Sequence, residues 1–179
     1  VLNIVMSIHV DDSLCAGRKS DLDELYTKVR EKYNITTLGV IKKYLGVNYE
    51  WENDKQGSPY VVASMAKNAH DIVKYYEKVT ETSAKTATTS GFPGVTLDKN
   101  IEETVMLDEY RSLVGNILFY VIKIRPDYGN ASRDLARHMS NPGEDQWKSM
   151  GRIISYLKGK EMHGYVMRKP ESLVDAKYC

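Results

Sequence analysis

From the N-terminus the chain alternates apolar and polar positions, so that Leu2, Ile4, Met6, Ile8 and Val10 fall on one face of an extended strand. A second short strand over 13–16 follows His9-Val10-Asp11-Asp12, which places a tight turn at the acidic pair. The pattern then changes period. Leu22, Leu25, Val29 and Tyr33 form a helical stripe, and Ser20 with Asp23 three residues on forms a capping box for a helix over 21–33. Residues 43–51 return to strand alternation. Asn53-Asp54-Lys55-Gln56-Gly57 reads as a turn and 60–63 as the returning strand, giving a second hairpin. Ser64 is placed to cap a helix through Ala69, Ile72, Val73 and Tyr76.

Between Thr80 and Asn100 the chain is rich in Ser, Thr, Gly and Pro without a sustained period, which predicts an exposed connector. Beyond it three helices are expected: 109–124, capped by Asp108 and stopped at Arg125-Pro126; 128–139; and 143–157, set off by Asn141-Pro142 and ended near Gly159. Residues 164–167 and 173–174 read as short strands. The expected class is α+β: a hairpin-rich region (1–79), an exposed linker (80–106), a helical bundle (107–160) and a strand-forming end (161–179).

Composition adds bounds. The 179 residues are 42% apolar and carry a net charge of +1, which excludes a strongly basic nucleic-acid module. Residues 1–106 hold 13 Lys and Arg against 15 Asp and Glu, whereas 107–179 hold 12 against 9, so any capacity for phosphate leans to the second half. Cys15 and Cys179 are far apart and belong to no Cys/His cluster, which argues against a disulfide framework or a zinc site and fits a reducing, intracellular setting. The apolar run Val114 to Ile124 is too short and too polar for a bilayer, and no secretory signal is visible. An opening inside a strand and an equally abrupt end read as a piece cut from a longer chain.

The candidate chemistry lies at the first turn. Adjacent carboxylates repel, and converge on one site only where the backbone turns and a cation compensates them. Asp11 and Asp12 therefore read as oxygen ligands for magnesium, or, more plainly, as good turn residues.

Further motifs follow in order: Leu38-Gly39, Tyr44-Leu45-Gly46-Val47, Tyr110-Arg111-Ser112-Leu113-Val114-Gly115, Arg125-Pro126-Asp127 and Tyr156-Leu157-Lys158-Gly159. Together with Val10-Asp11-Asp12 this set resembles the reverse transcriptase of copia-type LTR retrotransposons, within the Pol polyprotein, over essentially the whole chain. The resemblance implies an RNA-directed DNA polymerase fragment comprising part of the palm, the thumb and the connection to ribonuclease H. It implies that Asp11, as direct ligand, and Asp12, as support, serve a two-metal magnesium site at a primer terminus. It implies that Tyr44, Leu45 and Gly46 grip the primer. Candidate contacts to the phosphates of an RNA/DNA hybrid are Arg111, Lys123, Arg125, Arg133, Arg137, Arg152 and Lys158. Asp175 resembles a metal ligand of the ribonuclease H domain. Deoxynucleoside triphosphates and the rest of the polyprotein are the implied partners, with no membrane.

Two departures from that pattern bear on activity. His9 stands where Tyr is usual. Thr36 stands where the family commonly has a Lys suited to protonating pyrophosphate, and a neutral hydroxyl cannot replace it, leaving Lys42 or Lys43 as substitutes. The family's further metal-binding Asp and its fingers lie upstream of these residues, so the isolated chain is expected to be inactive. The alternative is a degenerate or domesticated nucleic-acid-binding remnant without catalysis; a small phosphotransfer enzyme unrelated to retroelements ranks last. Arg125-Pro126-Asp127 also reads as a helix stop with an ion-paired turn, and Trp147 as core rather than a stacking platform.

Overall fold

A computed structural model describes residues 3–92 and 94–168. The predicted strand at 173–174 and Asp175 lie outside them. The class is α+β, with strands and helices in the order the periodicity predicts. Two units are distinguished, one up to Tyr49 and one from Glu50.

In the first unit, strands β1 (Ile4–His9) and β2 (Asp12–Gly17) pair antiparallel from Ile4↔Gly17 to His9↔Asp12. The β-branched and apolar residues of β1 fit an extended pleat, and the two-residue turn Val10-Asp11 closes it. Helix α1 (Lys19–Arg30) follows, with Asp21 in its first turn and Lys28 and Arg30 in its last, as the helix dipole favours. Glu24 and Lys28 add an i,i+4 pair at 2.5 Å. Strand β3 (Lys43–Tyr44) pairs with the start of β4 (Val47–Asn53) through Lys43↔Asn48 and Tyr44↔Val47. Among the described residues of this unit only Val47 is buried.

In the second unit the Asp54 carboxylate accepts the Gln56 and Ser58 amides, each at 2.9 Å, and so turns the chain from β4 into β5 (Pro59–Ser64). Strand β6 (Tyr165–Arg168) pairs antiparallel with β5, from Tyr60↔Arg168 to Ala63↔Tyr165. Helices α2 (Ala66–Thr80), α3 (Leu107–Lys123), α4 (Gly129–Ala136) and α5 (Glu144–Lys158) make the core, with a 3₁₀ turn at Pro126–Tyr128. Tyr110, Leu113, Val114, Ile117 and Tyr120 recur at helical spacing along α3 and are all buried. They share the core with Ala69, Ile72 and Val73 of α2, Leu135 of α4, and Met150, Ile153, Ile154 and Leu157 of α5. Each large apolar side chain of this stripe contributes roughly 1.5–3 kcal/mol by leaving water. Gly151 admits α2: a Cβ there would stand 2.6 Å from the Tyr76 hydroxyl. Trp147 is core, as expected, with its ring edge-on to Tyr110 at 5.6 Å and its indole N–H donating to the Val105 carbonyl at 2.9 Å.

Three helix starts differ from expectation. Ser20 lies inside α1, which begins after Arg18; Ser64 precedes the N-cap Met65 of α2; and Asp108 sits in the first turn of α3 behind Met106. None of these N-caps bonds through a side chain. Anchoring wins over capping: Met65 is itself core, and its carbonyl takes the Ala69 amide.

The division of the chain also falls elsewhere than at the 80–106 linker, because the apolar face of α2 docks on α3 and α5. The linker is exposed in most of its side chains, Ala84 being buried, but is fastened largely by its backbone. Ala87 N–H donates to the Ser155 carbonyl, Gln146 Nε2 to that of Asp98, and Val105 N–H to that of Pro142. Asn141 Nδ2 donates to the Asn100 carbonyl at 3.0 Å, and Thr104 also hydrogen-bonds Asn141.

Candidate functional site

The turn between β1 and β2 presents the acidic pair to solvent. In the observed register Ser7, His9, Leu14 and Asp12 share one face of the hairpin, while Met6, Ile8, Ser13 and Cys15 share the other. Asp12 opens β2 opposite His9, and Asp11 occupies the turn itself. Val10, the first turn residue, is held at φ +51°, a left-handed conformation that a β-branched residue rarely adopts. Both carboxylates are exposed. Among the described residues no group of three or more His, Cys, Asp or Glu side chains is gathered to hold a metal. The pair offers hard oxygen donors of the type magnesium prefers, but few of the six positions in its octahedral shell.

Tyr44, Leu45 and Gly46 form the corresponding turn between β3 and β4. Leu45 at φ +48° and Gly46 at φ +88° place both central residues in the left-handed region, the requirement of a type I′ hairpin turn. Gly46 meets it freely; Leu45 does so under strain. The Tyr44 hydroxyl lies 3.1 Å from Ser7 Oγ and 3.4 Å from the Ser7 carbonyl oxygen. The two hairpins are therefore joined at Ser7, on the face that carries Asp12, rather than at the acidic turn itself. Ser7 was not singled out in the sequence. Its signal is the polar alternation Asn3, Ser7, His9 on the face opposite the apolar residues.

The basic candidates separate into two groups. Arg125 is a correction: it is only 5% exposed, and its guanidinium is committed inside the protein. Its Nε and Nη2 hold the Asp127 carboxylate and its Nη1 donates to the Lys160 carbonyl, while the group lies over the Tyr128 ring at 4.6 Å. The ion-paired helix stop is what forms. Burial works to raise the Asp127 carboxyl, but the Arg125 guanidinium overcomes it and holds that carboxyl below its usual range. Lys158 bridges to Glu77 at 2.7 Å, and Glu77 also accepts the Ala84 amide; these partners hold the Glu77 carboxyl below the ordinary value. Arg111 donates to the Met139 carbonyl at 2.8 Å, and Arg152 to Thr89 Oγ1 at 2.7 Å while lying over Phe92.

Lys123 lies over the Phe119 ring at 5.7 Å, and Arg133 and Arg137 project from the exposed side of α4 and its C-cap. These three keep their charge at the surface of the second unit.

No protein-family model matches the chain, and no solved structure matches it. Over 168 residues it is 25% identical to the retrovirus-related Pol polyprotein from transposon TNT 1-94 of Nicotiana tabacum, covering 87% of this chain and 12% of that protein. The chain is similar to a segment of transposon Pol polyproteins. A second such relative, from transposon RE2 of Arabidopsis thaliana, is 28% identical over 95% of the chain and 11% of its own length. A putative transposon Ty5-1 protein of Saccharomyces cerevisiae is 24% identical over 98% of the chain and 56% of its own length. The chain thus spans about a tenth of the two plant Pol polyproteins. Among the described residues no helix is long and apolar enough to cross a membrane.

Proposed function

We propose that this Pol-like segment is part of a reverse transcriptase, in which the Asp11-Asp12 turn belongs to the polymerase centre and residues 107–160, with α3 to α5, to the thumb and connection. The observation that carries the reading is the exposure of two adjacent carboxylates on a tight hairpin turn, in a hairpin whose Asp12 face also carries the Ser7–Tyr44 contact. Asp11 and Asp12 would hold magnesium, which when bound supplies charge stabilisation and activation of a primer hydroxyl for attack on a deoxynucleoside triphosphate. The remaining donors belong to other parts of the polyprotein and to the substrates. Tyr44, Leu45 and Gly46 orient the primer strand beside the turn. Lys123, Arg133 and Arg137 supply sequence-independent attraction for the phosphates of an RNA/DNA hybrid.

The test is anisotropy of a labelled RNA/DNA hybrid titrated with the chain over a salt series, together with primer extension in magnesium. Expected are binding that falls steeply as salt rises and no nucleotide incorporation by the chain alone. Absence of hybrid binding at low salt overturns the reading, and incorporation by the isolated chain overturns its proposed incompleteness.

A second reading, a nucleic-acid-binding remnant without chemistry, is favoured by Thr36 and His9. It predicts the same binding but no incorporation even when a competent upstream palm and fingers segment is joined to Val1.

A further inference from the structure

We propose that Ser7 and Tyr44 form a positioning latch, which fixes the Asp12-bearing face of the first hairpin against the Tyr44-Leu45-Gly46 turn. The latch rests on the reading of Asp11 and Asp12 as metal-holding carboxylates beside a primer end, and gives that site a means of keeping its geometry.

Packing alone provides little of that geometry. Val47 is the sole buried side chain among the described residues of the first unit, and Val5, Ile8 and Val10 are 77%, 68% and 84% exposed. A two-stranded hairpin covered only in part, by α1 against β2, is marginal in water, so its orientation depends on specific bonds. The Ser7–Tyr44 contact is such a bond, and it is doubled. The phenol O–H can donate to the Ser7 carbonyl at 3.4 Å while Ser7 Oγ–H donates to the phenol oxygen at 3.1 Å, which satisfies both hydroxyls. Serine is short, so the contact pins the phenol close to the backbone of β1 and leaves it little lateral play.

The placement matters as much as the bond. Ser7 is two residues before His9, about 7 Å along the strand from its end, and on the face of Asp12. Each turn also holds an apolar non-glycine residue at positive φ, Val10 in one and Leu45 in the other. Strained residues persist only where the surroundings over-determine them. A bond between the two hairpins, just behind both turns, supplies such a constraint. Ser7 would touch neither metal nor primer; it acts through the backbone that carries Asp12 and, by holding the Tyr44 phenol, on the Tyr44-Leu45-Gly46 turn that orients the primer.

The experiment compares the full chain with Ser7→Ala, Tyr44→Phe, Ser7→Thr and the Ser7→Ala/Tyr44→Phe double variant by amide NMR and hydrogen exchange, then titrates each with Mn²⁺. The latch predicts that Ser7→Ala shifts the amides of Leu45 and Gly46, and that Tyr44→Phe shifts those of Val10 to Ser13. Each single change raises hairpin exchange roughly two- to tenfold, the double variant adds nothing further, and Ser7→Thr restores protection. The Mn²⁺ concentration that broadens the Asp11 and Asp12 amides rises in Ser7→Ala and Tyr44→Phe and returns in Ser7→Thr. Shifts confined to the mutated hairpin, or additive effects in the double variant, overturn the latch. Cross-hairpin shifts without Mn²⁺ broadening at the wild-type turn leave the latch standing and overturn the metal reading instead.

Discussion

The Arg125 guanidinium grips the Asp127 carboxylate through two parallel hydrogen bonds, Nε to Oδ1 at 2.8 Å and Nη2 to Oδ2 at 2.7 Å. The arginine side chain is 6% exposed and the aspartate 41%. Removing the aspartate strands a buried charge, whereas water screens its own side of the pair. Asp127→Asn is therefore expected to cost about 1–3 kcal/mol of unfolding free energy, the partly exposed end of the range for broken pairs. Chemical denaturation checks it, and a loss below about 0.5 kcal/mol would show that the Tyr128 ring and the Lys160 carbonyl hold Arg125 in place without its partner.

Asp127 and Glu77 both have carboxyls held below the ordinary value in the folded chain. Their contribution to stability is complete above the unfolded carboxylate pKa of about 4 and is lost as pH falls through the lowered folded values. The helical unit is expected to lose stability on acidification below about pH 4, and the Asp127→Asn/Glu77→Gln variant to lose less over the same range. Denaturation midpoints measured from pH 6 to pH 2.5 decide it; equal slopes for the two proteins would contradict the assignment.

Val10 is forced into the left-handed region that glycine enters freely. Relief of about 1–2 kcal/mol of strain outweighs the roughly 0.5–1 kcal/mol entropic cost of glycine, so Val10→Gly is expected to protect the β1–β2 amides by about 0.5–1 kcal/mol. Hydrogen exchange of those amides reads the change directly. Faster exchange in the glycine variant would show that the valine side chain contributes packing that its exposure does not suggest.

Arg133→Ala and Arg137→Ala are each expected to weaken hybrid binding and to reduce the slope of log affinity against log salt by about one, provided these groups meet phosphates. Lys158→Met is the contrasting control. Its ammonium is already paired with Glu77, so it should lower stability by about 1 kcal/mol and leave the slope unchanged. A slope insensitive to both arginines would remove α4 from the proposed nucleic-acid surface.

The periodicities made the elements legible. The strand alternation of β1 and the apolar stripe of α2 appear where the pattern puts them, because each reflects one local geometry repeated over many residues. What pattern cannot carry is pairing at a distance. Arg125 and Asp127 are two residues apart, and their ion-paired turn was readable. Lys158 meets Glu77 across 81 positions and Tyr44 meets Ser7 across 37, and neither partner carries a local mark of the other. The helix starts misled for a related reason. Ser20, Ser64 and Asp108 have the chemistry of caps, yet at α2 the buried Met65 takes the N-cap position, while Arg18 and Met106 take it at α1 and α3 without being buried. The 80–106 stretch reads as an exposed connector because its side chains lack a period, while many of its attachments run through backbone carbonyls and amides, which composition does not reveal.

That fastening changes what covalent continuity contributes to the second unit. Ser155, Gln146, Trp147 and Asn141 hold the strap from the α5 side, and α2 is lodged on α3 and α5 by its own apolar face. Cutting the chain near Gly94 would break one peptide bond while leaving the core between α2 and the α3-to-α5 piece free to form across the cut. The bundle is therefore suited to reassembly from two separately made peptides, an association in which the hydrogen-bonded strap ends supply register and the shared core supplies affinity.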